Sequence, residues 1–475
     1  MLKIIHIDMN FKAFKLDMLK NHIRTLAKLG YNAILWEMED KIQWETCPEV
    51  VHPDAMSKQS FRELLTLARS LGMECIPLLQ TIGHGEYVLM HPEYAHFRED
   101  PKSHDCYCTS HPEVRTFFKK WIAEIFDLYD GKIKFYHMGG DEAYVFGTCQ
   151  KCRTVMRSKL YGEYIASIGA EIIRRGGRPC IWGDMILQKQ DELDMISKDF
   201  VICDWNYWSS FEDTAFKNTE KLLEAGFDVM LCSATESAGD DPILGRWHFH
   251  FENVVAAALF CTSHQGIVGN CVTSWSIRLG PKSLQIPLFE SAIDAMNGKI
   301  TKENRGEYEK DIIRRYTGSG NFDAYERLCF HFDGNKPFTA IQWDNLKDSL
   351  PAPEGHFEKQ KKKFMERGDL DTIKAETETF IADASAAMQA FKENKTDYFK
   401  LFLAGAALKI RLAGVFLAVL QEQFSTQLLA DAETLKADLI RWYEQEETHS
   451  SAVKNAGLVL DPTIEEIRKN LDQVK

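Results

Sequence analysis

The chain has no excess of positive charge. Its 57 lysines and arginines face 70 aspartates and glutamates, a net charge of −13 over 475 residues. Binding a phosphate backbone or an anionic lipid surface needs a basic footprint, so nucleic acid and membranes are set aside as partners. Proline (14) and glycine (29) are not enriched, and 45% of residues are hydrophobic. That excludes disorder as the main state and leaves ample apolar surface for a core. No uncharged apolar run of membrane length is present. The longest candidate, residues 401–420, holds Lys409 and Arg411 in its middle and reads as a buried helix. The opening MLKIIHIDMN is too short an apolar stretch for an export signal and carries His6 and Asp8. Twelve cysteines without such a signal read as mostly reduced thiols, and a cytoplasmic location is expected.

What is there is a repeat. Through about the first 300 residues, an amphipathic helix ends at a glycine and a short apolar strand follows. The joints fall at Gly30, Gly72, Gly131, Gly176, Gly226 and Gly266, where glycine suits the left-handed helix-ending position. Leu16, Leu19, Ile23 and Leu26 share one helical face, as do Val114, Phe118, Trp121, Ile125 and Leu128. The apolar runs are 4–9, 33–39, 75–81, 134–138, 180–185, 201–205, 229–233 and 267–274. Eight strands separated by helices are the arithmetic of a (β/α)8 TIM barrel. An open doubly wound sheet has the same local pattern, but no glycine-rich phosphate loop follows the first strand. After residue 300 the strands stop. The spacing predicts two domains, a barrel over 1–300 and an α-helical C-terminal domain over 301–475.

In a barrel of this kind the active site lies where the strands end. Strand 2 ends with Glu37, Glu39 and Asp40, strand 3 with Gln80, Gly83 and His84, and strand 4 with His137-Met-Gly-Gly-Asp141-Glu142. Strand 5 ends with Trp182 and Asp184, strand 6 with Asp204, Trp205, Tyr207 and Trp208, and strand 8 with Trp275. Indole faces stack on sugar rings, and carboxylates transfer protons or bind hydroxyls. The combination points to a glycoside hydrolase. Adjacent acids at a strand end ordinarily point to opposite faces, but the preceding Gly139-Gly140 pair lets the backbone bend. Asp141 and Glu142 can then serve one pocket, and their mutual repulsion favours one shared proton near neutral pH.

HMGGDE in this context resembles glycoside hydrolase family 20, the β-N-acetylhexosaminidases, and most closely the hexosaminidase-D-like branch. IHID, LWEMEDKIQW, PLLQTIGHGEYVL and CDWNYW are also similar to that branch. The resemblance implies exo-acting, retaining, substrate-assisted hydrolysis of terminal GlcNAc or GalNAc. The sugar's own acetamide oxygen then attacks the anomeric carbon to give an oxazolinium ion. It further implies Glu142 as acid and then base, and Asp141 as the partner of the acetamide N–H. Tyr207 would donate to the acetamide oxygen, and Trp182, Trp205 and Trp275 would form the walls. His84 would bond Glu142 and be oriented by Asp40 or Glu39. The larger branches place an arginine near strand 1, where only Lys3 and Lys12 lie here, and a Glu two residues beyond the strand-8 tryptophan, where this chain has Ile277. Hydroxyl recognition is expected to pass to Glu37, Glu39 or Glu236.

Two other readings remain open at this level. One is a retaining β-glycosidase with a carboxylate nucleophile at Asp184 or Asp40. The other is a sugar-binding barrel without catalysis. The chemistry needs no cofactor, but Cys106, Cys108, Cys149 and Cys152 have spacing that suits a structural zinc. His248 and His250 alternate as in a strand and read as ordinary polar groups rather than a metal pair. Trp36 and Trp44 fit either the pocket mouth or the core. The cluster Lys359 to Lys363 reads as a solvated face. A saccharide ending in a β-linked N-acetylhexosamine is the expected partner, and a homodimer is compatible.

Overall fold

The computed structural model describes residues 1–188, 193–212, 214–237, 240–276, 280–329, 370–391 and 396–473. Ile277, Arg278 and residues 359–363 lie outside these. Eight parallel strands close into a barrel: β1 (Leu2–Asp8), β2 (Ala33–Glu37), β3 (Glu74–Leu78), β4 (Phe135–His137), β5 (Arg178–Trp182), β6 (Val201–Trp205), β7 (Asp228–Ala234) and β8 (Ile267–Thr273). The ring shuts where β1 pairs with β8, Ile4 beside Cys271. The six glycines at the helix–strand joints all adopt positive φ, from 70° at Gly131 to 113° at Gly30.

Strand alternation sorts the core into two layers. Ile4, Leu35, Ile76, Leu78, Phe135, Val201 and Met230 fill the barrel interior together with Cys180, Cys203, Cys232 and Cys271. Ile5, Ile7, Ile34 and Trp36 face outward against the helices. Trp36 meets Phe61 edge-on at 5.2 Å, and Trp44 meets Trp121 at 5.7 Å, so both tryptophans belong to this outer layer rather than the mouth.

Helices account for every described element beyond β8. Asp397–Leu420 is long and apolar enough to cross a membrane by length and composition. Here it buries Phe399, Phe402, Leu412 and Phe416, and Lys409 pairs with Asp241 of the barrel at 2.6 Å. The segment entering the last helix (His449–Gln473) clamps the loop after β1. Thr448 N–H donates to Ala13 O (2.9 Å), Asn455 Nδ2 donates to Phe11 O (3.1 Å), and Lys12 lies 3.8 Å from Glu447. The helical region therefore sits against the strand-end face of the barrel.

Candidate active site

A cavity of about 370 Å³ opens at that face. Asp8, Glu37, Glu39, Asp40, Gln80, His84, Asp141, Glu142, Trp205, Tyr207 and Trp275 line it, and Lys454 reaches in from the last helix.

The turn after β4 is built by close packing. Gly139 and Gly140 have φ of 67° and 98°, and a Cβ on Gly139 would sit 2.0 Å from Gln80 Oε1. Thr81 Oγ1 donates to Met138 O at 2.6 Å, and Tyr161 Oη donates to Gly140 O at 3.0 Å. Three non-glycine residues along the cavity also hold positive φ: Glu39 (41°), His84 (52°) and Glu142 (41°). Such backbone is costly for side-chain-bearing residues and tends to gather at functional sites.

The adjacent acids converge on one imidazole. His84 Nε2 lies 3.4 Å from Asp141 Oδ2 and 3.4 Å from Glu142 Oε2. Burial works against a charge on His84, but the Asp141 carboxylate, by charge and by hydrogen bond, and then Glu142 outweigh it. The imidazole is held well above its ordinary value. The other oxygen of Asp141, Oδ1, is buried with no hydrogen-bond partner in the protein.

Asp184 supports this arrangement from the short helix that follows β5. Its Oδ2 accepts the Glu142 N–H at 3.0 Å and its Oδ1 accepts Trp205 Nε1 at 3.4 Å. Burial, and then the Asp141 charge, push Asp184 up to about 7. Glu37 is pushed to about 7 by the same two causes, although Gln80 Nε2 donates to it at 3.1 Å. Glu39 is buried, raised well above the carboxylate range by burial and by Glu37, and neither of its oxygens has a protein partner.

The aromatic wall is graded in depth. Trp205 stacks on Tyr207 at 5.4 Å, Tyr207 meets Trp275 at 6.4 Å, and the exposed Trp208 forms the rim. Trp182 departs from the sequence expectation. As the last residue of β5 it points into the barrel, is fully buried, and sits 6.1 Å behind Trp275 and 4.2 Å from His137. It backs the wall and does not line the cavity.

Three further expectations change. Asp40 lines the cavity but pairs with Lys41, and His84 is oriented by Asp141 and Glu142 rather than by Asp40 or Glu39. Glu236 is engaged by Lys282 Nζ at 2.8 Å and does not line the cavity. His248 and His250 lie on a helix (Trp247–Ser263), not a strand, and part company: His248 pairs with Glu309 (2.9 Å) and His250 with Asp240 (2.7 Å). Asp204 is buried and accepts from Thr219 Oγ1 at 2.5 Å, so it braces β6.

The cysteine pairs do meet, with one exchange. Glu99, Cys108, Cys149 and Cys152 bring their ligand atoms within 4.8 Å of one another, and Cys106 is not among them. Cys106 is buried with its thiol directed to Tyr107 O at 3.5 Å. Sequence reasoning missed Glu99, and also the cavity residues Asp8, Glu86, Asp105, Tyr144 and Lys454. Asp8 was findable as the polar end of β1, whereas Lys454 comes from the far end of the chain and carries no local signal.

The chain is similar to known proteins. Residues 4–237 match the catalytic domain of glycosyl hydrolase family 20. The chain is 29% identical over 332 residues to a Hexosaminidase D of Homo sapiens, covering 66% of this chain and 67% of that one. It is 27% identical over 349 residues to a Hexosaminidase D of Bos taurus, covering 69% of this chain and 99% of that one. Among solved structures, a β-N-acetylhexosaminidase from Bacteroides fragilis NCTC 9343 superposes with a TM-score of 0.53 at 17% identity, over 66% of this chain and 69% of that one. A family 20 exo-β-N-acetylglucosaminidase from Vibrio harveyi, in complex with N-acetylglucosamine, gives 0.52 at 14% identity. That match covers 66% of this chain and 57% of the Vibrio chain. At these identities the two structures bear on the fold.

Proposed function

Since the chain belongs to glycosyl hydrolase family 20 and is a β-hexosaminidase by that kinship, we propose that it removes terminal β-linked N-acetylhexosamine with retention, the substrate's acetamide supplying the nucleophile. Glu142 protonates the departing glycosidic oxygen while the acetamide carbonyl oxygen attacks C1. Asp141 accepts the acetamide N–H and stabilises the positive charge that spreads over the oxazolinium ion. Glu142, now a carboxylate, deprotonates a water that opens the ring from the face the aglycone left. Tyr207 and Trp275 enclose the acetamide, and Glu39, held toward its neutral form, can both donate to and accept from a sugar hydroxyl.

The observation that carries this reading is Asp141 Oδ1, a buried carboxylate oxygen without a protein donor in the wall of an aromatic-lined cavity. Such an acceptor is costly unless a ligand N–H satisfies it. The carboxylates considered as enzymic nucleophiles are otherwise occupied: Asp184 by Glu142 N–H and Trp205, and Asp40 by Lys41.

The test is a set of nitrophenyl glycosides with a thiazoline inhibitor. Hydrolysis of β-GlcNAc or β-GalNAc, no turnover of unacetylated β-glucosaminide, and strong thiazoline inhibition are expected. Turnover of the unacetylated sugar at a comparable rate refutes an internal nucleophile.

A further inference from the structure

We propose that Glu99, Cys108, Cys149 and Cys152 form a structural zinc site that ties the loop after β3 to the loop after β4. The site is separate from the chemistry proposed for the cavity and does not depend on it.

The spacing of the donor atoms carries the argument. Cys108 Sγ lies 3.7 Å from Cys149 Sγ and 3.8 Å from Cys152 Sγ. Two sulfurs at tetrahedral angles on a zinc with Zn–S near 2.3 Å are separated by about 3.8 Å. Cys152 Sγ is 3.3 Å from Glu99 Oε2. The matching sulfur–oxygen edge of a zinc tetrahedron is about 3.6 Å, a few tenths longer. All four donor atoms lie within 4.8 Å of one another, close enough for one ion to draw them into its shell.

The groups around the donors suit the role. Cys149-x-x-Cys152 folds into a short turn in which the Cys152 N–H donates to Cys149 Sγ at 3.4 Å. A main-chain donor of this kind favours a thiolate over a thiol. Glu99 is buried and both its oxygens face the cluster, Oε1 accepting the Cys149 N–H at 2.9 Å and Oε2 lying against Cys152. Ser110 Oγ is 3.1 Å from Cys152 Sγ, a second contact that fixes the ligand. Glu99 arrives because the chain pairs antiparallel at Arg98 and Tyr107, which sets residue 99 beside the Cys106–Cys108 segment. Three soft sulfurs and one carboxylate suit Zn²⁺, whereas Ca²⁺ and Mg²⁺ take oxygen shells and an iron–sulfur cluster takes four cysteines. On binding, the three thiols lose their protons to solvent and the ion carries no redox change.

The consequence is mechanical. Asp105 lies between Glu99 and Cys108, and Glu142 and Tyr144 precede Cys149; all three line the cavity. An ion at this point closes the two loops into one wall.

The experiment measures metal in the full-length protein purified under reducing conditions, dialysed against excess zinc and then cleared of loose metal. About one zinc per chain is expected, and cobalt in its place should give thiolate charge-transfer bands with a tetrahedral d–d spectrum. Cys149→Ser and Cys152→Ser should lose the ion, Glu99→Gln should weaken it at least about tenfold against a chelating indicator, and Cys106→Ala should keep it. A folded wild type that takes up neither zinc nor cobalt overturns the proposal. So does metal retained in both serine variants. Metal lost from Cys106→Ala but kept by Glu99→Gln overturns the ligand assignment.

Discussion

The backbone N–H of Glu142 donates to Asp184 Oδ2 at 3.0 Å, so a carboxylate just past the end of the neighbouring strand sets the residue assigned to proton transfer. The other Asp184 oxygen holds Trp205, which makes one side chain responsible for both the acid and the wall. Asp184→Asn keeps the shape but leaves a single acceptor for two N–H donors, and its amide is thrust against one of them. The expected result is a fall of about 10- to 100-fold in kcat, the penalty of a small misplacement. The pH profile should change as well. Burial and the Asp141 charge push Asp184 up to about 7, so the part of any inflection near there in kcat/KM that Asp184 contributes should be lost in the variant. An unchanged profile and rate would remove Asp184 from any positioning role.

The two neighbouring acids should respond differently to leaving group. Glu142→Gln removes the proton donor, so the loss should be about 10² to 10⁴-fold on a disaccharide and much smaller on a dinitrophenyl glycoside, whose departure needs little protonation. Asp141→Asn removes support for the acetamide, with an expected loss of about 10²-fold or more on both substrates. A plot of log kcat/KM against leaving-group pKa distinguishes them: steep for Glu142→Gln, parallel to wild type for Asp141→Asn. Two steep lines would mean that the roles have been divided wrongly.

The barrel was legible because each βα unit writes itself locally, as an apolar run, a helical face and a glycine with positive φ between them. The cavity was legible as far as strand ends reveal it. The sequence does not place Trp182, because a strand's last side chain points either to the mouth or to the interior, and only the register decides. Sequence spacing groups Cys106 with the other three cysteines because it cannot see the antiparallel pairing that brings Glu99 beside them instead. The clamp of the last helix on the β1 loop joins residues 444 positions apart, as in Asn455 to Phe11, and nothing local announces it.

Gly83 is held by sterics alone. A Cβ there would lie 2.2 Å from Asp141 O and 3.2 Å from Ala143 N, both backbone atoms that cannot swing aside. Gly83→Ala should therefore shift the Asp141–Glu142 turn, with a stability loss of about 1–3 kcal/mol. Activity should fall about 10- to 100-fold while the far-ultraviolet dichroism stays that of the barrel. Gly306 has open space around it and lies in a helix, so Gly306→Ala is the control and should hold or slightly raise the melting temperature. Full activity in Gly83→Ala would show that the turn tolerates displacement.

Glu447 couples the helical region to pH. Burial pushes it up to about 7, against the opposing charge of Lys12 and hydrogen bonds from Ser451 and Asn455. Its unfolded value is near 4.5, so between these two limits the folded protein holds a proton that the unfolded chain has lost. Stability from this group is full below about 4.5 and drains away as pH rises to about 7. Glu447→Gln mimics the protonated form and can still accept from both neighbours. Urea unfolding at several pH values should give a shallower decline with pH in the variant than in wild type. Equal slopes would mean that Glu447 is ionised in the folded protein throughout that range.

Among the described residues, the cavity wall carries eight carboxyl groups, at Asp8, Glu37, Glu39, Asp40, Glu86, Asp105, Asp141 and Glu142. Burial pushes Asp8, Glu37 and Glu39 toward their neutral forms, which blunts the negative field without abolishing it. A cleft lined by one sign of charge focuses such a field and repels anionic ligands. Lys454, set beside Asp40 and Lys41 on the last helix, offsets part of that charge, as does His84 between Asp141 and Glu142. A neutral N-acetylhexosaminide should therefore outrun its 6-sulfated counterpart at low ionic strength, with the difference in KM more than in kcat. Salt screens this repulsion, so the gap should narrow between about 0.01 and 0.5 M as the Debye length shrinks. Lys454→Glu should widen the gap while leaving the neutral substrate nearly unaffected. Equal handling of both sugars at low salt would mean that the carboxylates are neutralised or turned from the sulfate position, and that the wall does not select by charge.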